Sequence, residues 1–253
     1  MQPLKILMSN LGYARGINGC LAHHVRYAHR HVYCSQLVQT QALDQLAEIM
    51  REEIPDICCF VEIDNGSFDT SRFNQFEHIL NDEYPHYDIE NKYGHNSILR
   101  NLAFTRGKSN AFISRDELAY EKIHFTYGTK KLIYKITLEE NLTLFFAHFS
   151  LKKPVRKLQL EQTRDLMHET PGEVIFMGDF NVLTGLDELH PLTHDEGLIL
   201  MNKHDAPTFT FHKRQLVLDL CLCTPEIAKR TQLRVIPQPY SDHAALFAEV
   251  QRG

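Results

Sequence analysis

Four apolar runs in this chain end on polar residues suited to holding a cation or moving a proton. Leu4–Met8 leads to Asn10, Ile57–Val61 to Glu62, Leu142–Phe146 to His148, and Val174–Met177 to Asp179. Short apolar runs of this kind predict strands buried in a sheet. In α/β proteins, ligands bind beyond the carboxyl ends of such strands. The pattern therefore demands a fold in which several strands end at a common edge. Asp242-His243 stands instead at the start of the last apolar run, Ala244–Val250, and an antiparallel strand brings its start to that same edge. Asp219 lies inside the apolar segment Leu216–Cys223. A carboxylate buried there needs a partner, and a histidine is the natural one.

Between these runs the period changes. Leu43, Leu46, Ala47 and Met50 recur at helical spacing after Ser35, a plausible N-cap. Pro55 disfavours helical backbone in the residue before it, so this helix ends near Ile54. A second helix follows His148, with Leu151, Val155, Leu158 and Leu166 on one stripe. Ser109–Ser114 and Lys131–Leu138 are further strands, residues 182–208 are rich in loops, and residues 13–34 have no assignable period. Strands outnumber helices, and helices separate only some of them. This predicts an α/β sandwich with mixed β-sheets rather than a purely parallel, doubly wound sheet. With no repeat or low-complexity linker, residues 1–253 are expected to form one catalytic domain.

No apolar run approaches the about 20 residues of a membrane helix, and the start of the chain lacks the pattern of a signal peptide. The expected location is cytoplasmic, with the six cysteines as free thiols. The net charge of −5, with histidine neutral, excludes the global basic field of a tight, nonspecific nucleic-acid binder. An anionic substrate must meet local positive charge, a metal ion included.

The strand-end residues form a set with a chemical logic. Hydrolysis of an anionic phosphodiester needs a Lewis acid on the phosphoryl oxygens, a positioned water and neutralisation of developing charge. Glu62 and Asn10 are hard oxygen donors suited to Mg²⁺ or Mn²⁺. Asp179 can hold and deprotonate the attacking water. Asn181 can give an amide N–H to a phosphoryl oxygen. His243, oriented by Asp219, can stabilise charge on the phosphate, and His148 can do so from the other side or help protonate the leaving group.

In this order, Ser9-Asn10, Phe60-Val61-Glu62, Gly107–Arg115, Ala147-His148-Phe149, Gly178-Asp179-Phe180-Asn181, Leu218-Asp219-Leu220 and Ser241-Asp242-His243 resemble the endonuclease/exonuclease/phosphatase superfamily, which includes DNase I-like nucleases. The resemblance spans nearly the whole chain. It implies a four-layer α-β-β-α sandwich with two mixed sheets face to face. It also implies Mg²⁺ at Glu62 assisted by Asn10 and Asp242, water activation by Asp179, phosphate binding by Asn181, and orientation of His243 by Asp219. Asn110, within the family-like strand Gly107–Arg115, becomes a substrate contact. The chain departs from the family at Asp219-Leu220, where Asp-Tyr or Asp-His is common, and in its histidine-rich segment 23–31.

Arg26 and Arg30 in that segment are expected to grip substrate phosphates near Asn10. A nuclease-like phosphodiesterase acting on nucleic acid ranks first. A phosphatase or phosphodiesterase for phospholipid head groups, inositol phosphates or another small phosphoester ranks second. A non-catalytic binding module ranks last, because every acidic and histidine position is retained. No protein partner is evident.

Overall fold

Strands that are apolar on both faces need cover on both faces, and here two mixed sheets provide it for each other. The computed structural model describes residues 2–252. In chain order the first half comprises β1 (Leu4–Asn10), α1 (Leu21–Arg26), α2 (Gln36–Glu53), β2 (Ile57–Asp64), α3 (Gln75–Ile79), β3 (His86–Asn91), β4 (Lys108–Ser114) and β5 (Tyr120–His124). There follow β6 (Leu132–Glu139), β7 (Leu142–His148), α4 (Lys153–His168), β8 (Glu173–Asp179), β9 (Ile199–Leu200), β10 (Phe209–Phe211) and β11 (Arg214–Leu216). The last elements are β12 (Asp219–Cys223), α5 (Pro225–Lys229), β13 (Thr231–Ile236) and β14 (Ala245–Val250).

One six-stranded sheet has the order β13-β14-β1-β2-β4-β3 and the other β5-β6-β7-β8-β12-β9. Each contains one central parallel pair, β1 with β2 and β7 with β8, and is otherwise antiparallel. Met8, Cys59 and Val61 of one sheet meet Tyr134, Phe146 and Met177 of the other in the central core. The opposite face of the first sheet, with Leu7, Cys58 and Phe60, packs on Leu43, Leu46 and Met50 of α2. Phe145, Phe176 and Leu220 of the second pack on Leu160 and Met167 of α4. The result is the four-layer, DNase I-like sandwich that the resemblance implies. No helix among the described residues is long and apolar enough to cross a membrane.

Three local expectations are corrected. Helix α4 does not bury the stripe read from its leucines: Leu151 precedes it and is 59% exposed, and Leu158 is 39% exposed. Its inner face carries Arg156, Gln159, Leu160, Thr163 and Met167. Arg156 is buried because Glu188 and the carbonyls of Ser150 and Leu151 take its guanidinium protons. Second, the strand expected over Leu216–Cys223 is two strands, β11 and β12, divided where the Thr208 hydroxyl accepts from the amides of Leu218 and Asp219. Third, β2 does not stop at Glu62 but runs through a bulge to Asp64.

Gly178 is a glycine because β7 passes too close for a side chain. A Cβ there would lie 2.2 Å from the Ala147 carbonyl oxygen, which is backbone and cannot step aside. Gly178→Ala is expected to destabilise the fold by about 3 kcal/mol, the upper end for overpacking. Denaturant unfolding checks this, and an unchanged midpoint would contradict the tight β7–β8 packing.

Candidate active site

Parallel registers bring the strand ends together. Asn10 pairs with Val61 beside Glu62, and His148 pairs with Asp179. Antiparallel β12 begins at the same edge, with Asp219 opposite Asp179. The run before β14 is tied down from below: Ser241 Oγ donates to the Asn10 carbonyl at 3.0 Å, and the amide of His243 donates to Ser241 Oγ at 3.2 Å. Two carboxylate–imidazole pairs result. His243 Nδ1 lies 2.6 Å from Asp219 Oδ2, and His148 Nε2 lies 3.1 Å from Asp179 Oδ2. Asn10 joins them, its Nδ2 donating to Asp179 Oδ2 at 3.0 Å and lying 3.4 Å from His243 Nε2. Asp179 Oδ1 accepts the amide of Asn181 at 3.0 Å.

Glu62 owes its position to the bulge in β2. Val61 and Glu62 together face Asn110 of β4, and Glu62 adopts φ 55°, in the left-handed region. Such strain persists only when its surroundings enforce it, and it clusters at functional sites. Glu62 Oε1 stands 3.8 Å from His148 Nδ1 and 4.0 Å from Lys130 Nζ.

Two lysines complete the site, and neither carries a signal in the sequence. Lys130 lies in the loop before β6. Its ammonium contacts His148 Nε2, and its carbonyl accepts from Gln159 of α4 at 2.8 Å. Lys92 follows β3 and is 5% exposed, with its ammonium on the Tyr13 hydroxyl. A lysine in a turn ordinarily reads as solvated, and only the tertiary fold turns these two inward.

The charges interlock. Burial pushes Glu62 up, but Lys92, His148, Lys130 and His243 outweigh it and hold it at about 2. Burial likewise raises Asp179, and His148, His243 and Lys130 overcome it, leaving the carboxyl well below its ordinary range. Burial and the Lys130 charge push His148 down to about 4, against Asp179 and Glu62, so its imidazole is neutral near pH 7. His243 goes the other way: burial opposes its charge, but Asp219 dominates and raises it. Burial pushes Lys92 down to about 7, against the pull of Glu62.

The donor chemistry suits a hard divalent cation. Burial pushes Asp242 up; His243 opposes the shift, while Glu62 adds to it. Glu62 and Asp242 are the hard oxygen donors that such a cation takes. The Asn10 amide oxygen accepts from the amide of Gly12 at 3.1 Å and is a third oxygen donor of the same kind. Asp179, Asp219 and His243 also lie close enough together to form a buried acidic–histidine group.

The remaining expected contacts are placed as follows. Asn181 stands at φ 52° and donates from Nδ2 to the Phe149 carbonyl at 3.0 Å, leaving one amide hydrogen free. Asn110 is buried opposite the Glu62 bulge, and its Oδ1 has no hydrogen-bond partner among the described residues. Arg30 donates to the carbonyls of Arg15 and Gly16 and stacks 3.8 Å over Tyr27, so it braces the loop after Asn10. Arg26 is exposed and lies over the same ring at 5.4 Å.

A model of the Endonuclease/Exonuclease/phosphatase family matches residues 37–243. No match was found among curated protein sequences. Among solved structures, truncated Caenorhabditis elegans TDP2 aligns over 99% of this chain and 98% of its own, with a TM-score of 0.65 and 14% identity. The endonuclease domain of TRAS1, a telomere-specific non-LTR retrotransposon, aligns over 99% of both chains with a TM-score of 0.61 and 17% identity. An AP endonuclease from Archaeoglobus fulgidus aligns over 98% of this chain and 100% of its own, at 0.62 and 16%. At such identities the likeness is one of fold.

Proposed function

The chain belongs to the endonuclease/exonuclease/phosphatase family, and from that premise we propose that it is a divalent-metal-dependent phosphoester hydrolase acting on nucleic-acid phosphate. One observation carries the proposal: two carboxylate–imidazole pairs of opposite electrostatic character, joined through Asn10 beside Glu62.

Glu62, Asp242 and Asn10 would hold Mg²⁺ or Mn²⁺, which when bound supplies Lewis-acid stabilisation to a phosphoryl oxygen. Asp179, fixed by Asn10, His148 and the Asn181 amide, orients the attacking water. As the new P–O bond forms, the water proton passes to Asp179 and the bond to the leaving oxygen breaks. His243, kept cationic by Asp219, neutralises the phosphoryl oxygens. The second amide hydrogen of Asn181 offers a further donor. Nucleic acid ranks first because the solved relatives above include proteins described as endonucleases.

The test is a substrate panel in Mg²⁺: plasmid DNA, single-stranded RNA, phosphorylated oligonucleotides, sphingomyelin, inositol polyphosphates and nitrophenyl phosphoesters. Turnover of at least one of the nucleic-acid substrates, lost on chelation, is the expected result. Turnover of small phosphoesters alone would remove nucleic acid, and no turnover at all would remove the hydrolase. On a nucleic-acid substrate, replacing Arg26 and Arg30 together is expected to raise KM several-fold through loss of phosphate contacts and of the braced loop. An unchanged KM would count against their role.

A further inference from the structure

The cations drawn into the interior of this molecule, fully or in part, divide into two kinds. Lys108 Nζ is 2.8 Å from both Asp64 and Asp69, Arg15 is 2.8 Å from Asp69, and Arg156 is 2.7 Å from Glu188. Each has its anion within the protein. Lys92 has no carboxylate within 4.0 Å among the described residues, and the nearest to Lys130 is Glu62, at that limit. Lys92 is held by uncharged groups, the Tyr13 hydroxyl and the Tyr13 and Tyr93 rings at 5.0 and 5.5 Å. Tyr13 is itself fixed in the left-handed region at φ 58°, with its carbonyl accepting from Gln75 at 2.7 Å. Lys130 competes with Asp179 for one atom, His148 Nε2, which can donate to the carboxylate or accept from the ammonium but not both.

Withdrawing an ammonium from water without a bonded anion is costly. The two segments meet, since the amide of Lys131 donates to the Lys92 carbonyl at 2.7 Å, and both ammonium groups are explained if an incoming anion completes them. We propose that Lys92 and Lys130 form a paired cationic subsite for a phosphate dianion, so that the group taken at this centre is a terminal phosphomonoester rather than an internal phosphodiester. The inference rests on the hydrolase function proposed above and specifies its bond. An internal diester carries one negative charge shared by two free oxygens. A monoester carries about −1.5 to −2 and three free oxygens. Lys92 and Lys130 supply two ammonium groups to meet them. The phosphate can sit on a nucleic-acid end or on a small molecule, because the subsite recognises the dianion alone.

Calorimetric titration of the full chain in Mg²⁺ tests this with two probes, inorganic phosphate and dimethyl phosphate. Inorganic phosphate is expected to bind at least about ten-fold more tightly, as befits charge-assisted hydrogen bonds absent from the monoanion. Lys92→Met is expected to weaken inorganic phosphate by about ten-fold or more and to leave dimethyl phosphate nearly unchanged, while Lys92→Arg retains the preference. Equal binding of the two probes by the native chain would overturn the proposal, as would an unchanged phosphate affinity in folded Lys92→Met. Should Lys92→Met fail to fold, the native chain and Lys92→Arg decide. Phosphate release from 3′- and 5′-phosphorylated oligonucleotides, set against nitrophenyl phosphate, separates the two sources of the dianion. Release from neither overturns the monoester assignment. Binding needs no turnover, so a native chain that prefers phosphate yet hydrolyses nothing on the wider panel would remove the hydrolase and keep the anion subsite.

Discussion

Asp179→Asn is expected to lower turnover by about 10²–10⁴-fold, the range for losing a general base, while leaving the sandwich folded. The substitution keeps the shape but changes every contact of the carboxylate. Asp179 Oδ2 accepts from Asn10 Nδ2 and faces His148 Nε2, and Oδ1 accepts the Asn181 amide. An asparagine can serve only one side of that arrangement as acceptor. Either its NH₂ points at the NH₂ of Asn10, or it points at the backbone N–H of Asn181. The water then loses its acceptor, and His148 and His243 lose a nearby negative charge. Steady-state kinetics on the best substrate of the panel gives the effect, and circular dichroism confirms the fold. Retention of more than about a tenth of the native kcat would remove Asp179 from the chemistry.

Asp219→Asn is the second large effect, expected at about 10²–10³-fold in kcat, the range for removing one electrostatic stabiliser of the transition state. Asp219 is fully buried, and its Oδ2 holds His243 Nδ1. Its charge holds that imidazole protonated against the cost of burial. The sign follows from this. A histidine whose folded pKa is raised is charged below its unfolded value of about 6.5 and stays charged as pH rises, until the folded pKa of about 10 is passed. The stability gained from the pair is fully present below the unfolded pKa and is lost as pH rises through the folded one. In Asp219→Asn the imidazole deprotonates much earlier, so the fall of activity on the alkaline side should move to lower pH. A pH–rate profile distinguishes this from simple unfolding: a uniformly scaled profile of native shape would mean that Asp219 does not set the charge of His243.

The strand-end residues were legible because being at the end of an apolar run is a local property. Two parallel pairs and two antiparallel neighbours do the rest, carrying Asn10, Glu62, His148, Asp179, Asp219 and the Asp242-His243 run to one edge. The bulge that swings Glu62 into the left-handed region was not legible, because glutamate gives no sign of positive φ and the extra residue shows only against β4. The buried face of α4 misled a search for apolar period, since Arg156 and Gln159 are there to bind loops rather than to fill the core. Gln159 in turn anchors the loop of Lys130. Lys92 and Lys130 were invisible for a related reason: lysine in a polar segment has no pattern, and its burial depends on partners far away in sequence. Asn110 sits at the right register but offers a carbonyl oxygen with no partner among the described residues, which suits a donor on the substrate or a bound water.

The central claim is that metal-assisted hydrolysis of a phosphoester runs at the edge shared by Glu62 and Asp179, and a Mg²⁺ titration of turnover tests it most directly. The native chain should show saturable activation from a metal-free baseline. Glu62→Gln should need at least about ten-fold more Mg²⁺ for half activation, and Asp179→Asn should stay inactive at every concentration. Full native turnover in the presence of a chelator, or an activation curve unmoved by Glu62→Gln, would contradict it.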